Sequence, residues 1–434
     1  MKTSRLLVIL LLCGAAMAQD AWMFRGNPQH TGVYETQPLT KLNQLQWKFQ
    51  AGGQIASSPA VVKDTVYFGS LDNNFYAVNR STGALKWKFQ TKSRVASSPA
   101  VADAVAYFGS YDGSFYAVDT TTGQQKWKFD TAGERRFAGK HLHGAVPAGE
   151  IMPDPYDCYL SSPVVWEGAV YFGSGDGNVY ALDAKTGTLK WKFQTGDVVH
   201  ASPAIDDGKL FVGSWDSYFY AIDAKSGKEV WRFKTGEDPE IHNQVGIQSS
   251  AAVADGVVYF GCRDSNLYAV DAKTGQKKWA FNNKGSWVIG SPAVHDGKLY
   301  FSTSDSGALY VLDAKTGKGP QIFSSNKWPM FSSPALVGNM LYIGSDEGKL
   351  FALDLTSQKE AWMYQTEGSK QIGPKYTKPD GTPNYEAAFT SFFYDDLMVG
   401  YDKLMSVGAI LSSPVVVDGV LYVGSTDGYL YALQ

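Results

Sequence analysis

The sequence predicts an all-β chain folded as an eight-bladed β-propeller of four-stranded antiparallel blades. Three observations carry this prediction. A Ser-Ser-Pro element or a near copy recurs at Pro59, Pro99, Pro163, Pro203, Ala251, Pro292, Pro334 and Pro414. The shortest spacings are about 40 residues, the length of one four-stranded blade. The last repeat ends at Tyr431-Ala432-Leu433-Gln434 without its closing strand, and that strand stands at the other end of the chain as Leu45-Gln46-Trp47-Lys48-Phe49. A repeat divided between the termini closes a ring. A ring needs no capping repeats, because every blade has two neighbours.

Each repeat holds four short runs rich in Val, Ile, Tyr, Phe and Trp. Asp-Gly, then Asp-Gly or Asp-Ser, then Thr-Gly punctuate them. That makes three hairpins and four strands, A to D. The strand D region carries a second frame at fixed offsets: Ala117, Asp119, Thr122, Gly123 and Trp127, repeated from Ala181 to Trp191, Ala221 to Trp231 and Ala269 to Trp279. Blade one has Asn79 for the Asp, blade six has Gln321 for the Trp, and blade seven keeps Ala352, Asp354 and Trp362 but loses Thr-Gly. A large aromatic at a constant blade position suits packing between neighbouring blades.

This Ala-x-Asp-x-x-Thr-Gly-x-x-x-Trp frame resembles the tryptophan-docking motif of the quinoprotein-type (PQQ-like repeat) propellers, and the resemblance covers residues 45–434. The superfamily includes the pyrroloquinoline quinone (PQQ)-dependent alcohol dehydrogenases and the non-enzymatic outer-membrane assembly lipoproteins of the BamB type. The resemblance implies the fold. A packing motif shared by enzymes and scaffolds does not choose between them.

Residues 1–18 read as a secretory signal peptide: Lys2 and Arg5, an apolar run from Leu6 to Leu12, and Ala16-Met17-Ala18 before Gln19. The run is too short to span a bilayer. Cys13 invites a lipid anchor, but Leu12 stands where a lipobox wants a small residue. Residues 19–44 form an N-terminal extension and 45–434 a single propeller domain, exported to a periplasm and monomeric. The net charge of −3 with interspersed signs points away from nucleic acid, and no other stretch suits a transmembrane segment. Cys158 and Cys262 remain after cleavage, and sequence leaves their pairing open.

Function is expected where the repeats are interrupted. Extra residues fall at 131–160, 237–248 and 366–411, always between strand D of one blade and strand A of the next. In an antiparallel blade the D–A and B–C connections share a face, so all three insertions crowd one end of the ring. The third insertion is Pro-rich, then aromatic, and reads as a structured loop serving as lid or rim.

Candidate ligand-binding residues on this face are Arg135, Arg136, His141, His143, Asp157, His242, Asn243, Trp287, Trp328, Lys370, Tyr394 and Tyr401. Glu134, Arg135 and Arg136, with Lys370 and Lys375, suit an acidic ligand. His141-x-His143 on an extended segment would point both rings one way, as a metal site needs, but tight four-ligand spacing is missing and no metal is assigned. Trp287 and Trp328 either stack on a flat ligand or plug the face. The acids of the B–C turns, Asp72 to Asp427, read as turn-capping residues rather than a cation funnel. No Gly-x-Ser-x-Gly elbow appears.

The resemblance implies two functions. The favoured one is a non-catalytic binding or scaffolding protein of the cell envelope, with an envelope protein or small ligand on the inserted face and no cofactor. The alternative is a PQQ- and Ca²⁺-dependent oxidoreductase with a divergent site on that face. The adjacent cysteine pair of those dehydrogenases is absent. A carbohydrate-binding propeller is a third class.

Overall fold

The computed structural model describes residues 20–236 and 245–434. The signal-peptide reading at 1–18 therefore lies outside the described residues. Eight four-stranded antiparallel sheets follow one another around a ring. Blade one, typical of the rest, comprises Ala60–Val62, Thr65–Gly69, Asn74–Asn79 and Leu85–Gln90. Blade eight takes Val415–Val417, Val420–Gly424 and Tyr429–Leu433 from the C-terminus and Leu45–Gln50 from the N-terminus. Trp47 faces Ala432 and Phe49 faces Leu430 in this closing pair.

The second sequence frame spans two strands rather than one. Ala181 and Asp183 lie on strand C, Thr186-Gly187 make the C–D turn, and Trp191 lies on strand D opposite Ala181. The Asp folds the turn: Asp183 Oδ1 accepts from the amides of Lys185 and Thr186. Each Trp then docks on the following blade. Trp191 donates its indole N–H to Ala224 O at 2.9 Å, and Trp47, Trp87, Trp127, Trp231 and Trp279 donate to the equivalent carbonyl. The indole lies directly on the Gly of the next Thr-Gly turn, whose φ is near +70°. A side chain there would meet the ring and strain the backbone.

This pairing accounts for the two irregular blades. The Trp lost from blade six (Gln321) would have docked on the Gly lost from blade seven, where Gln358 adopts φ +53°. A hollow of about 230 Å³ lined by Leu355 and Gln358 remains at that junction. Trp362 of blade seven has no C–D turn to meet and donates instead to Leu39 O in the N-terminal extension. Between blades, phenylalanines stack face to face, as in Phe115–Phe172 at 3.9 Å and Phe219–Phe260 at 4.0 Å.

Toward the axis, the second serine of each repeat joins a ring. Ser413, Ser58, Ser98, Ser162 and Ser202 each donate a backbone amide to the hydroxyl of the serine in the next blade, ending on Ser250, and Ser291 and Ser333 do likewise, ending on Ser413. The serines surround an axial cavity of only about 40 Å³.

The N-terminal extension closes the axis from the opposite side. The innermost strands present amides that no neighbour in their own blade can take. Val61, Val101, Ile205, Val253, Val294 and Leu336 donate theirs to Ala21, Trp22, Pro28, Gln29, Thr31 and Gly32. Arg25, 1% exposed, donates to Pro334 O and Pro292 O. Burial lowers its guanidinium to about 10.

Two glycines separate indole docking from left-handed strain. Gly227 (φ +70°) would place a Cβ 2.6 Å from the Trp191 ring, whereas Gly256 (φ +71°) has nothing within 4 Å. Each Ala variant loses about 1–2 kcal/mol to the left-handed conformation. Gly227→Ala loses about 1–3 kcal/mol more through overpacking, read as a lower urea midpoint. Equal midpoints would contradict the docking role.

Candidate functional site

All insertion segments within the described residues gather on the D–A face. Residues 366–411 form a cap of four helices: α1 (Glu367–Gln371), α2 (Gly373–Tyr376), α3 (Tyr385–Ala388) and α4 (Tyr394–Met405). The cap's Tyr376, Ala388, Tyr401 and Leu404 pack with Trp287, Trp328 and Phe331 from the propeller. Insertion 131–160 packs Tyr156, Cys158 and Tyr159 against them and is folded on itself by a two-stranded ladder of Ala138–Gly139 with Met152–Pro153.

Beneath the cap lies a buried polar layer. The Arg263 guanidinium sits between the rings of Trp215 and Trp287, 4.4 and 4.1 Å from their centroids. Its Nη1–H donates to Asp154 Oδ2 at 2.6 Å and its other nitrogens donate to Gln248 Oε1. Phe137 stacks on Trp215 at 4.3 Å. Beside this, His200 bridges two carboxylates, with Nδ1 2.7 Å from Asp157 and Nε2 2.8 Å from Glu134. Burial alone would lower the His200 pKa, but Asp157 and Glu134 outweigh it and raise it to about 10. These pairs fix the insertion to the blades, since a buried charge is tolerated only when paired.

Above the layer opens a cleft of about 850 Å³. Tyr156, Trp328, Tyr385, Phe389 and Tyr401 provide apolar walls, and Asp305 and Asp346 line the same cleft. Asp346 is 4% exposed and its Oδ1 has no hydrogen-bond partner. Burial, then the Asp305 carboxylate, raises the Asp346 carboxyl well above its ordinary range. Asp305 stands open to the cleft, yet the enclosing walls raise its carboxyl too.

The other turn acids cap their own hairpins, as expected from their position, and six of them also accept an amide from the preceding D–A connection. Asp72, Asp112, Asp176, Asp216, Asp264 and Asp427 each accept from a backbone amide two residues on and from a tyrosine hydroxyl four residues on. Glu347 pairs with Lys349.

The predicted site residues disperse. His143, Trp328 and Tyr401 line the cleft. Asp157 and Trp287 belong to the buried layer. Tyr394, on α4, donates to Pro153 O and ties cap to insertion. Arg135 pairs with Asp197, and Arg136 lines a separate hollow beside Tyr111. Lys370 pairs with Glu367 and lies over Tyr364, so it does not join the arginines. The extended His-x-His geometry is corrected: His141 and His143 are both left-handed residues of a turn. His143 meets Asp154 at 3.3 Å, while His141 is exposed. His242 and Asn243 lie outside the described residues, as does most of the second insertion.

Sequence reasoning missed Arg263, Trp215, His200, Tyr156 and Asp346, and read Asp305 only as a turn-capping acid. One signal was available. The residue between Ser (or its replacement) and the acid of the B–C turn varies while its neighbours repeat, and Trp215, Arg263 and Asp346 occupy that position.

Among the described residues, Trp287 offers a quinone no open platform. Trp287 is covered by Arg263 and edged by His143 and Tyr156. The cleft beside Trp328 carries carboxyl groups that oppose a polycarboxylate. Cys158 and Cys262 are free thiols.

The His200 bridge sets a pH response. Its folded pKa exceeds the ordinary 6.5, so its stabilisation is fully present below pH 6.5 and is lost as pH rises through about 10. Wild type therefore loses a component of urea stability between pH 6.5 and 10 that His200→Gln lacks. Identical pH slopes would contradict the bridge.

A family model described as outer membrane protein assembly factor BamB matches residues 39–148 and 159–364. No curated protein sequence matches the chain. Among known structures, BamB from Moraxella catarrhalis is similar at 16% identity and TM-score 0.66, covering 91% of this chain and 100% of that one. A europium-containing methanol dehydrogenase is similar at 17% identity and TM-score 0.69, covering 96% and 98%. The quinohemoprotein alcohol dehydrogenase from Comamonas testosteroni is similar at 14% identity and TM-score 0.68, covering 97% and 81%. Likeness at these identities establishes the propeller fold.

Proposed function

The chain belongs to the family of the outer membrane protein assembly factor BamB, and on that premise we propose that it is an exported, non-catalytic binding or scaffolding protein of the cell envelope that engages a protein partner through its inserted face. The observation that carries this is an apolar rim on the cap. Phe392 and Phe393 are 65% and 62% exposed, and Val146 of the first insertion stands exposed beside them. Val146 donates its amide to Phe392 O and accepts from the Tyr394 amide, so the rim is held in place rather than trailing from a loop. Exposed, contiguous aromatics with satisfied backbone suit a protein interface. Export rests on the signal-peptide reading of residues 1–18.

A photo-crosslinking residue at Phe393, on the rim, is expected to give a discrete adduct with an envelope protein in living cells. The same residue at Lys315, in a C–D turn on the opposite face, is expected to give none. Indistinguishable adducts from both positions would overturn the reading. So would stoichiometric uptake of PQQ with Ca²⁺ accompanied by dye-linked alcohol oxidation.

A further inference from the structure

The cleft has a composition that docking of the rim does not require. Its walls are aromatic, and the buried Asp346 carboxylate lining it leaves Oδ1 without a partner. A buried carboxyl without a partner either keeps its proton or needs a counter-charge to ionise. Among the described residues no cation is paired with Asp346. Arg263 is taken by Asp154 and Gln248, and His143 meets Asp154. Lys327 and Lys378 lie on the exposed rim, and neither forms an ion pair among the described residues. Asp305 adds a second carboxyl to the same cleft.

We propose that this cleft binds a small organic ammonium ion, with Asp346 and Asp305 as counter-charges and Tyr156, Trp328, Tyr385 and Tyr401 as an aromatic enclosure. Aromatic faces attract cations and are worth most when desolvated. A hydrated metal ion fits poorly: calcium takes six to eight oxygen ligands, and among the described residues no group of three or more His, Cys, Asp and Glu is placed to hold a metal. The raised carboxyl of Asp346 agrees with a group that ionises fully when a cation arrives. The same chemistry belongs to a free quaternary amine and to a lysine side chain of a partner. The inference does not depend on the apolar rim being a protein interface.

Isothermal titration of the full chain with choline, with Nα-acetyl-lysine amide and with 3,3-dimethylbutan-1-ol, the uncharged isostere of choline, tests this. Choline or the lysine derivative is expected to bind, and whichever binds more tightly identifies the source. The alcohol is expected to bind at least tenfold more weakly than the preferred cation. Asp346→Asn is expected to weaken that cation at least tenfold with the fold intact by circular dichroism. Asp305→Asn, at an open position that does not endanger folding, is expected to weaken it severalfold. Absence of binding by both cations, equal binding of the alcohol, or unchanged affinity in Asp305→Asn would overturn the proposal.

Discussion

Eight blades become one object only because the two ends of the chain share a sheet. The strand Leu45–Gln50 pairs with Tyr429–Leu433, and Asn43, Gln44 and Gln434 extend the ladder beyond it. Without this pairing the C-terminal blade would offer an open sheet edge. The Trp47 indole would also lose its seat on Gly83 of blade one. Closure therefore fixes both the backbone edge and the first indole contact. The serine ring then links blades around the axis with hydrogen bonds that only a closed ring can complete.

Closure also decides where function sits. The axis holds a cavity with room for only a few waters, and the extension 20–44 occupies the inner strand edges on one side. The C–D turns on that side are short and repetitive, each folded by its own Asp or, in blade one, by Asn79. What remains is the opposite face, where the blade connections lengthen. There the Arg263 and His200 layers use the most polar residues to anchor the insertions. The anchoring leaves an apolar rim outside and an acidic aromatic cleft within.

The fold was legible because its causes repeat. The Trp of one blade and the Gly of the next are one interaction read twice, so their joint loss at Gln321 and Gln358 is a single structural event. The face was legible because strand order alone assigns every D–A loop to one end. The plug was not legible: residues 19–44 carry no repeat, and buried Arg25 looks in sequence like any exposed cation. The site was legible only in part, since Arg263 and His200 derive their roles from carboxylates more than forty residues away. Helices in 366–411 were hidden by prolines and by segments of four to twelve residues, too short for a strong amphipathic period.

Hydroxyl-radical footprinting of the intact chain tests the central claim, a sealed axis with its open surface on the cap. Met23 in the extension is fully buried, whereas Met398 on α4 is partly exposed and lines the hollow that holds Arg136. The account predicts rapid oxidation of Met398, with labelling of Phe392 and Phe393, while Met23 stays unmodified until the protein unfolds. Oxidation of Met23 at the rate of Met398 in the native protein would contradict it.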